Sequence, residues 1–190
     1  MKTAETTGHA HPVPPLSTLL DDMAAQTQAY FLSRQIAEPL VVGIHSGGVW
    51  IAEALYARLG YRRPLGKLDI SFYRDDFSRI GMHPQVRPSE LPEALDDEHI
   101  LLVDDVLFTG RTIRAALNEL FDYGRPASVT LAALVVRDGR ELPIEASIIG
   151  QRLTLQSGEQ VKLRGPQPLH LEWVQVPLEE ALLPHGKHRS

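Results

Sequence analysis

The chain has 190 residues, 43% of them hydrophobic, with 19 Lys and Arg against 24 Asp and Glu for a formal charge of −5. That composition suits one globular domain with a full core, and the absence of cysteine excludes disulfides and thiolate zinc sites. No apolar run approaches the ~20 residues of a membrane span. The N-terminus has no apolar signal core, so a cytoplasmic protein is expected, and the acidic total gives no support to nucleic-acid binding by phosphate neutralisation.

Residues 1–15 read as a loose tail, 16–180 as a single domain and 181–190, with its basic end, as a second tail. Ser17 reads as the N-cap of a helix that places Leu19, Leu20, Met23, Ala24, Thr27, Tyr30 and Phe31 on one face. Pro39 closes it, and Leu40 to Ile44 is a short buried strand. A His45-Ser46-Gly47-Gly48 turn follows, then a helix from Val49 to Leu59 stopped by Gly60. Leu65 to Tyr73 alternates like a strand and runs into Tyr73-Arg74-Asp75-Asp76. From Ser78 to Asp97 the chain is irregular, with Gly81, Pro84, Pro88 and Pro92. So long a loop inside a compact domain implies a function.

Ile100 to Val103 is fully apolar, as a parallel strand buried on both faces should be. Asp104 and Asp105 follow, then a turn from Val106 to Gly110 and a helix beginning near Arg111 with Ile113, Leu117 and Leu120 in period. Backbone N–H groups at a helix start are suited to a phosphate. Gly110 permits close approach, and Thr109 and Thr112 add hydroxyl donors. The acid pair can accept hydrogen bonds from sugar hydroxyls or organise a divalent cation. Gly124 and Pro126 end the helix, Ser128 to Val136 is the next buried strand, and Ala146 to Gly150 a shorter one. From Gln151 to Val176 apolar and polar residues alternate, which predicts edge strands forming a hairpin around Ser157-Gly158. Strands alternating with helices predict an α/β fold with a doubly wound, mainly parallel sheet and a β-rich C-terminal extension. Ligands in such sheets bind at the carboxyl ends of the strands, and His45–Gly48, Arg74–Asp76, Asp104–Thr112 and Arg137–Gly139 all follow strands.

The run ILLVDDVLFTGRT resembles the phosphoribosyl pyrophosphate (PRPP) signature of type I phosphoribosyltransferases. LDISFYRDDF and RELPI, Arg140 to Ile144, are similar to runs in the PyrR family, which joins uracil phosphoribosyltransferase activity to regulation of pyrimidine genes. The resemblance implies conversion of uracil and PRPP to UMP and diphosphate with Mg2+. By that likeness Asp104 and Asp105 bind the ribose hydroxyls and share in holding Mg2+. Ser46 and Gly47 lie in the pyrophosphate loop, and Val106, Leu107, Phe108, Thr109, Gly110, Arg111 and Thr112 form the phosphate site. Arg137 and Val161 join the PRPP/UMP-binding set. The irregular segment becomes a hood that brings Arg74 and Arg87 to the departing diphosphate. Two departures stand out. Most relatives carry a basic residue where Gly47 stands, and the first helix, basic in the family, here holds only Arg34 against Asp21, Asp22 and Glu38. An alternative reading is therefore a mainly regulatory protein that senses UMP or PRPP and binds an mRNA leader. A homodimer or larger assembly is expected from the family. A response-regulator receiver also begins with LLVDD, but it needs a later strand ending in Asp, and the strand to Val136 has none.

Overall fold

The computed structural model describes residues 14–70, 89–91 and 94–175. Helix α1 (Leu16–Leu32) leads to strand β1 (Leu40–Ile44), helix α2 (Gly47–Leu59) and strand β2 (Gly66–Leu68). Strand β3 (His99–Leu107), helix α3 (Arg111–Asp122), strand β4 (Ser128–Arg137) and strand β5 (Ile148–Leu153) complete the main sheet. A pair, β6 (Glu159–Arg164) and β7 (His170–Gln175), follows. The sheet is parallel throughout, in the order β2-β1-β3-β4-β5.

Burial on both faces explains the apolar strands. Leu101, Val103, Ala132 and Leu134 face a core with α1 and α2, through Leu19, Met23, Phe31, Ile51 and Leu55. Leu40, Val42, Ile100 and Leu102 face the other, with Ile113, Ala116 and Leu120 of α3. The chain leaves β1 through α2 toward one edge and leaves β3 through α3 toward the other. The crevice between the carboxyl ends of β1 and β3 is therefore the topological switch point, where this class of sheet binds ligands. Among the described residues no helix is long and apolar enough to cross a membrane.

Several boundaries differ from the sequence expectation. Helix α1 begins one residue before Ser17. Pro15 holds the cap position with φ −52° and its carbonyl accepts the Leu19 N–H, while the cap has no side-chain bond. Helix α2 starts at Gly47, inside the expected turn. Strand β2 is only Gly66–Leu68, although Asp69 and Ile70 remain buried; Phe72 and Tyr73 lie outside the described residues. Of the expected hood, 78–88 and 92–93 lie outside them as well, as do 1–13 and 176–190. Glu90 exchanges two backbone hydrogen bonds with Lys67, so the return of that segment pairs antiparallel with β2. The C-terminal hairpin turns through 165–169, not Ser157-Gly158, which instead joins β5 to β6. Pro166 and Pro168 have no N–H to offer a ladder, and the strands stop on either side of them.

Candidate active site

Strand β3 continues four residues past Val103 because β4 keeps pairing with it: Asp104 faces Ala133, Val106 faces Val135 and Leu107 faces Val136. The acid pair thus lies within a strand rather than beyond its end, and adjacent strand residues point to opposite faces. Asp104 is 4% exposed, and its Oδ1 accepts the Asp105 N–H at 3.0 Å. Asp105 turns toward the start of α2. A Cβ added to Gly47 would fall 2.3 Å from Asp105 Oδ2, and one on Gly48 would fall 2.4 Å from the Val103 carbonyl oxygen. The two glycines therefore let the first turn of α2 lie directly on β3. Ser46, at the N-cap, makes no side-chain cap bond, which leaves that helix start without an internal side-chain acceptor.

The second helix start lies beyond β3. Leu107 is buried among the residues facing α3, and half-buried Val106 packs against the α1 and α2 core. Phe108, Thr109 and Gly110 form the loop. Gly110 adopts φ +93°, a conformation that favours glycine, and its carbonyl accepts the Arg114 N–H at 3.0 Å. Helix α3 has no side-chain cap bond and no acid in its first turn, so its partial positive charge faces the crevice unopposed from within that turn. Thr109 Oγ1 accepts the Arg111 N–H at 3.3 Å, and Thr112 is half-buried beside it.

The turn after β4 is clasped onto this loop, a link the sequence left unseen. The Glu141 and Leu142 N–H groups both donate to the Thr109 carbonyl, at 3.0 and 3.1 Å. Arg140 donates to the Phe108 carbonyl, and Arg111 donates to Glu141 through Nε at 2.7 Å. The Arg137 guanidinium lies 4.2 Å above the Phe108 ring, which also rests against Gly139. Burial pushes the Arg137 pKa down, and its Nε is buried without a hydrogen-bond partner. Beside it opens a polar pocket of about 320 Å³ lined by Arg137, Asp138, Arg140, Glu145, Arg152 and Thr154. Thr154 donates to Asp138 across it at 2.7 Å. Arg152, in β5, and Thr154, just beyond it, carry no motif in the sequence, where Gln151 to Val176 reads as an edge hairpin.

Ser46, Gly47, Asp104, Asp105, the 106–112 loop and Arg137 thus gather at the carboxyl ends of β1, β3 and β4. Val161 sits in β6 opposite Trp173, 4% exposed and packed in the α1 and α2 core. Arg74 and Arg87 lie outside the described residues. Among the described residues no three His, Cys, Asp or Glu side chains cluster to hold a metal ion, and Asp104 and Asp105 are the adjacent carboxylates at the crevice. Mg2+ suits such a place, since it takes one or two carboxylates and completes its shell with phosphate oxygens and water. The basic clusters are largely neutralised: Arg58 pairs with Asp21, Arg63 with Glu98, Lys67 with Glu53 and Glu90, and Arg164 with Glu172.

A model of the phosphoribosyl transferase domain matches residues 15–157. The chain is 59% identical over 160 residues to a bifunctional protein PyrR of Pseudomonas entomophila (strain L48), covering 84% of this chain and 93% of the relative. It is equally close, at 59%, to the bifunctional protein PyrR of Pseudomonas aeruginosa (strain LESB58), covering 84% and 94%. Among solved structures, a hypoxanthine phosphoribosyl transferase of Trypanosoma cruzi superposes with a TM-score of 0.61 at 17% identity, covering 83% of this chain and 84% of that one. A hypoxanthine phosphoribosyltransferase of Staphylococcus aureus gives 0.58 at 19% identity, covering 77% and 79%. These distant structures share the fold; the specific relationship comes from the close relatives. The chain belongs to the PyrR family within the type I phosphoribosyltransferases.

Proposed function

We propose that this chain transfers the phosphoribosyl group of PRPP to uracil, yielding UMP and diphosphate. The observation that carries the reading is the meeting of two uncapped helix starts and Asp105 at the switch point of the sheet. In the reaction a uracil ring nitrogen forms a bond to C1 of the ribose as the bond from C1 to the diphosphate oxygen breaks. The nitrogen's proton is released to solvent, and the electron pair of the broken bond leaves with diphosphate. Positive charge develops on the ring, as in glycoside cleavage. Asp104 and Asp105 would hold the 2- and 3-hydroxyls and stabilise that charge. Thr109 to Thr112 would seat the 5-phosphate on the start of α3, so that binding remote from the chemistry positions C1. The Ser46–Gly47 turn would take the diphosphate through backbone N–H groups, helped by Arg74 and Arg87, and Arg137 would stand at the base. Asp104 and Asp105 would share with the substrate's oxygens in holding Mg2+, which would supply charge neutralisation for the leaving diphosphate.

The test is UMP formation from uracil and PRPP with Mg2+. Asp105→Asn is expected to lower kcat/KM by about 10²–10³ with an unchanged thermal melt, and Asp104→Asn to do likewise. Firm PRPP binding without turnover of any base would defeat the enzyme reading.

The close relatives are bifunctional PyrR proteins, which favours a second role in regulating pyrimidine genes through an mRNA leader, with UMP as the signal. The paired basic side chains limit where RNA would sit. Affinity for the leader of its own pyrimidine genes, with and without UMP, tests this. Equal and purely salt-sensitive binding to unrelated RNA argues against it. We place the protein in the cytoplasm as a homodimer or larger assembly.

A further inference from the structure

The base-side turn and the phosphate loop are joined by ties of two kinds. Most are frame. The Thr109 carbonyl receives two backbone N–H groups, Arg140 reaches the Phe108 carbonyl, and Leu142 and Ile144 pack over Gly110. No ligand displaces these without remaking the turn. The tie between Glu141 and Arg111 differs. Glu141 Oε2 accepts the Nε–H of Arg111 at 2.7 Å and lies 2.7 Å from its Nη2, and the Glu141 and Arg111 side chains are 48% and 60% exposed. An exposed pair of this kind holds weakly and is open to exchange.

Its location gives the exchange a meaning. Arg111 is the first residue of α3, the helix start that carries no acid in its first turn and no side-chain cap. Glu141 is the carboxylate that another segment brings to that start. A phosphate seated there would be repelled by Glu141 and would suit the same guanidinium edge, whose fork matches phosphate as well as carboxylate.

We propose that Glu141 is a positioning residue, and that Glu141 and a ligand's phosphomonoester compete for the Arg111 guanidinium. Filling the phosphate loop then releases the base-side turn from its one side-chain ion pair to that loop among the described residues. This rests on the phosphoribosyl reading above and concerns the phosphate end of that ligand. Because linkage is reciprocal, the pair opposes phosphate binding by as much as phosphate opposes the pair.

Calorimetric titration of the full chain with UMP and with uridine isolates the phosphate, since the two ligands differ only there. Glu141→Gln keeps the size and an acceptor oxygen but removes the charge. It is expected to raise the ratio of UMP affinity to uridine affinity about two- to five-fold at low ionic strength, with most of the gain lost in about 1 M salt. Glu141→Asp, which retains the charge, is expected to leave the ratio near the wild-type value. In an Arg111→Gln background the Glu141→Gln change should leave the ratio unmoved, because the contested group is gone. Loss of a merely structural brace would weaken both ligands alike. A ratio that is unchanged or lower in Glu141→Gln, with UMP still binding, overturns the inference alone. Wild-type chain that binds neither UMP nor PRPP overturns the proposed function, and the inference falls with it. Both side chains are exposed, so the substitutions leave the core intact, which a thermal melt checks.

Discussion

At Gly47 a single missing side chain decides how the crevice is built. The space a Cβ would fill is taken by Asp105, with the carboxyl carbon 2.5 Å and Cβ 2.9 Å from the added atom as well. Gly47→Ala must therefore move the whole Asp105 side chain. PRPP KM is expected to rise about tenfold and stability to fall by about 1–3 kcal/mol; an unchanged KM would remove the Gly47–Asp105 contact from diphosphate binding. Arg137 poses the reverse case. Its Nε is buried without a partner, and burial lowers its pKa, so part of its desolvation goes uncompensated in the free protein. Arg137→Met removes that cost and is expected to raise stability by about 1 kcal/mol, or a few degrees in Tm, while uridine binds more weakly. A lower melting temperature would mean that the stack on Phe108 outweighs the orphaned donor. Neither situation is legible in the sequence. Gly47 reads there only as the absence of a basic residue, and Arg137 only as a family match.

Elements end where their partners end. Strand β3 runs to Leu107 because β4 continues beside it, and this carries the acid pair into the sheet, where its two members face different ways. Local composition placed the strand end at Val103, where the apolar run stops. The edge strand β5 shows another device. Gln26, on α1, donates to the Ile149 carbonyl at 2.9 Å and accepts the Ile149 N–H at 3.1 Å, so one side-chain amide stands in for a neighbouring strand. Gln26→Ala is expected to cost about 1 kcal/mol and to speed hydrogen exchange at Ile149 while leaving the β4 amides protected. Uniform exchange across both strands would count against this role. In sequence Gln26 is one polar residue on the outer side of an amphipathic helix, with no sign of a partner 123 positions away.

At the scale of the molecule, charge organises the end of the sheet opposite the crevice. Arg63 donates to both carboxylate oxygens of Glu98, at 2.8 and 2.7 Å, and that bond holds Glu98 below its ordinary value. Glu38 is lowered chiefly by the Arg63 backbone N–H, with Arg62 adding to it. A carboxylate lowered in the folded state contributes stability above its ordinary value and loses it as pH falls through the lowered one. Stability is thus expected to hold from about pH 7 to pH 5 and to decline below about pH 4. Arg63→Gln should narrow the gap between urea midpoints at about pH 6 and pH 3.5; an equal gap in both proteins would remove Glu98 from the account.

Features that depend on near neighbours along the chain are legible in the sequence alone. They include the alternation of strands and helices, the loop and helix start after β3, and the runs that carry the family resemblance, each written in consecutive residues by hydrophobic period, glycine and turn chemistry. Long-range packing clasps RELPI onto TGRT, puts Asp105 in the place of a Gly47 side chain and buries Val161 in the α1 and α2 core. These are contacts between segments far apart in sequence. Strand pairing and close packing bring them together, and a linear pattern contains neither the register nor the distance.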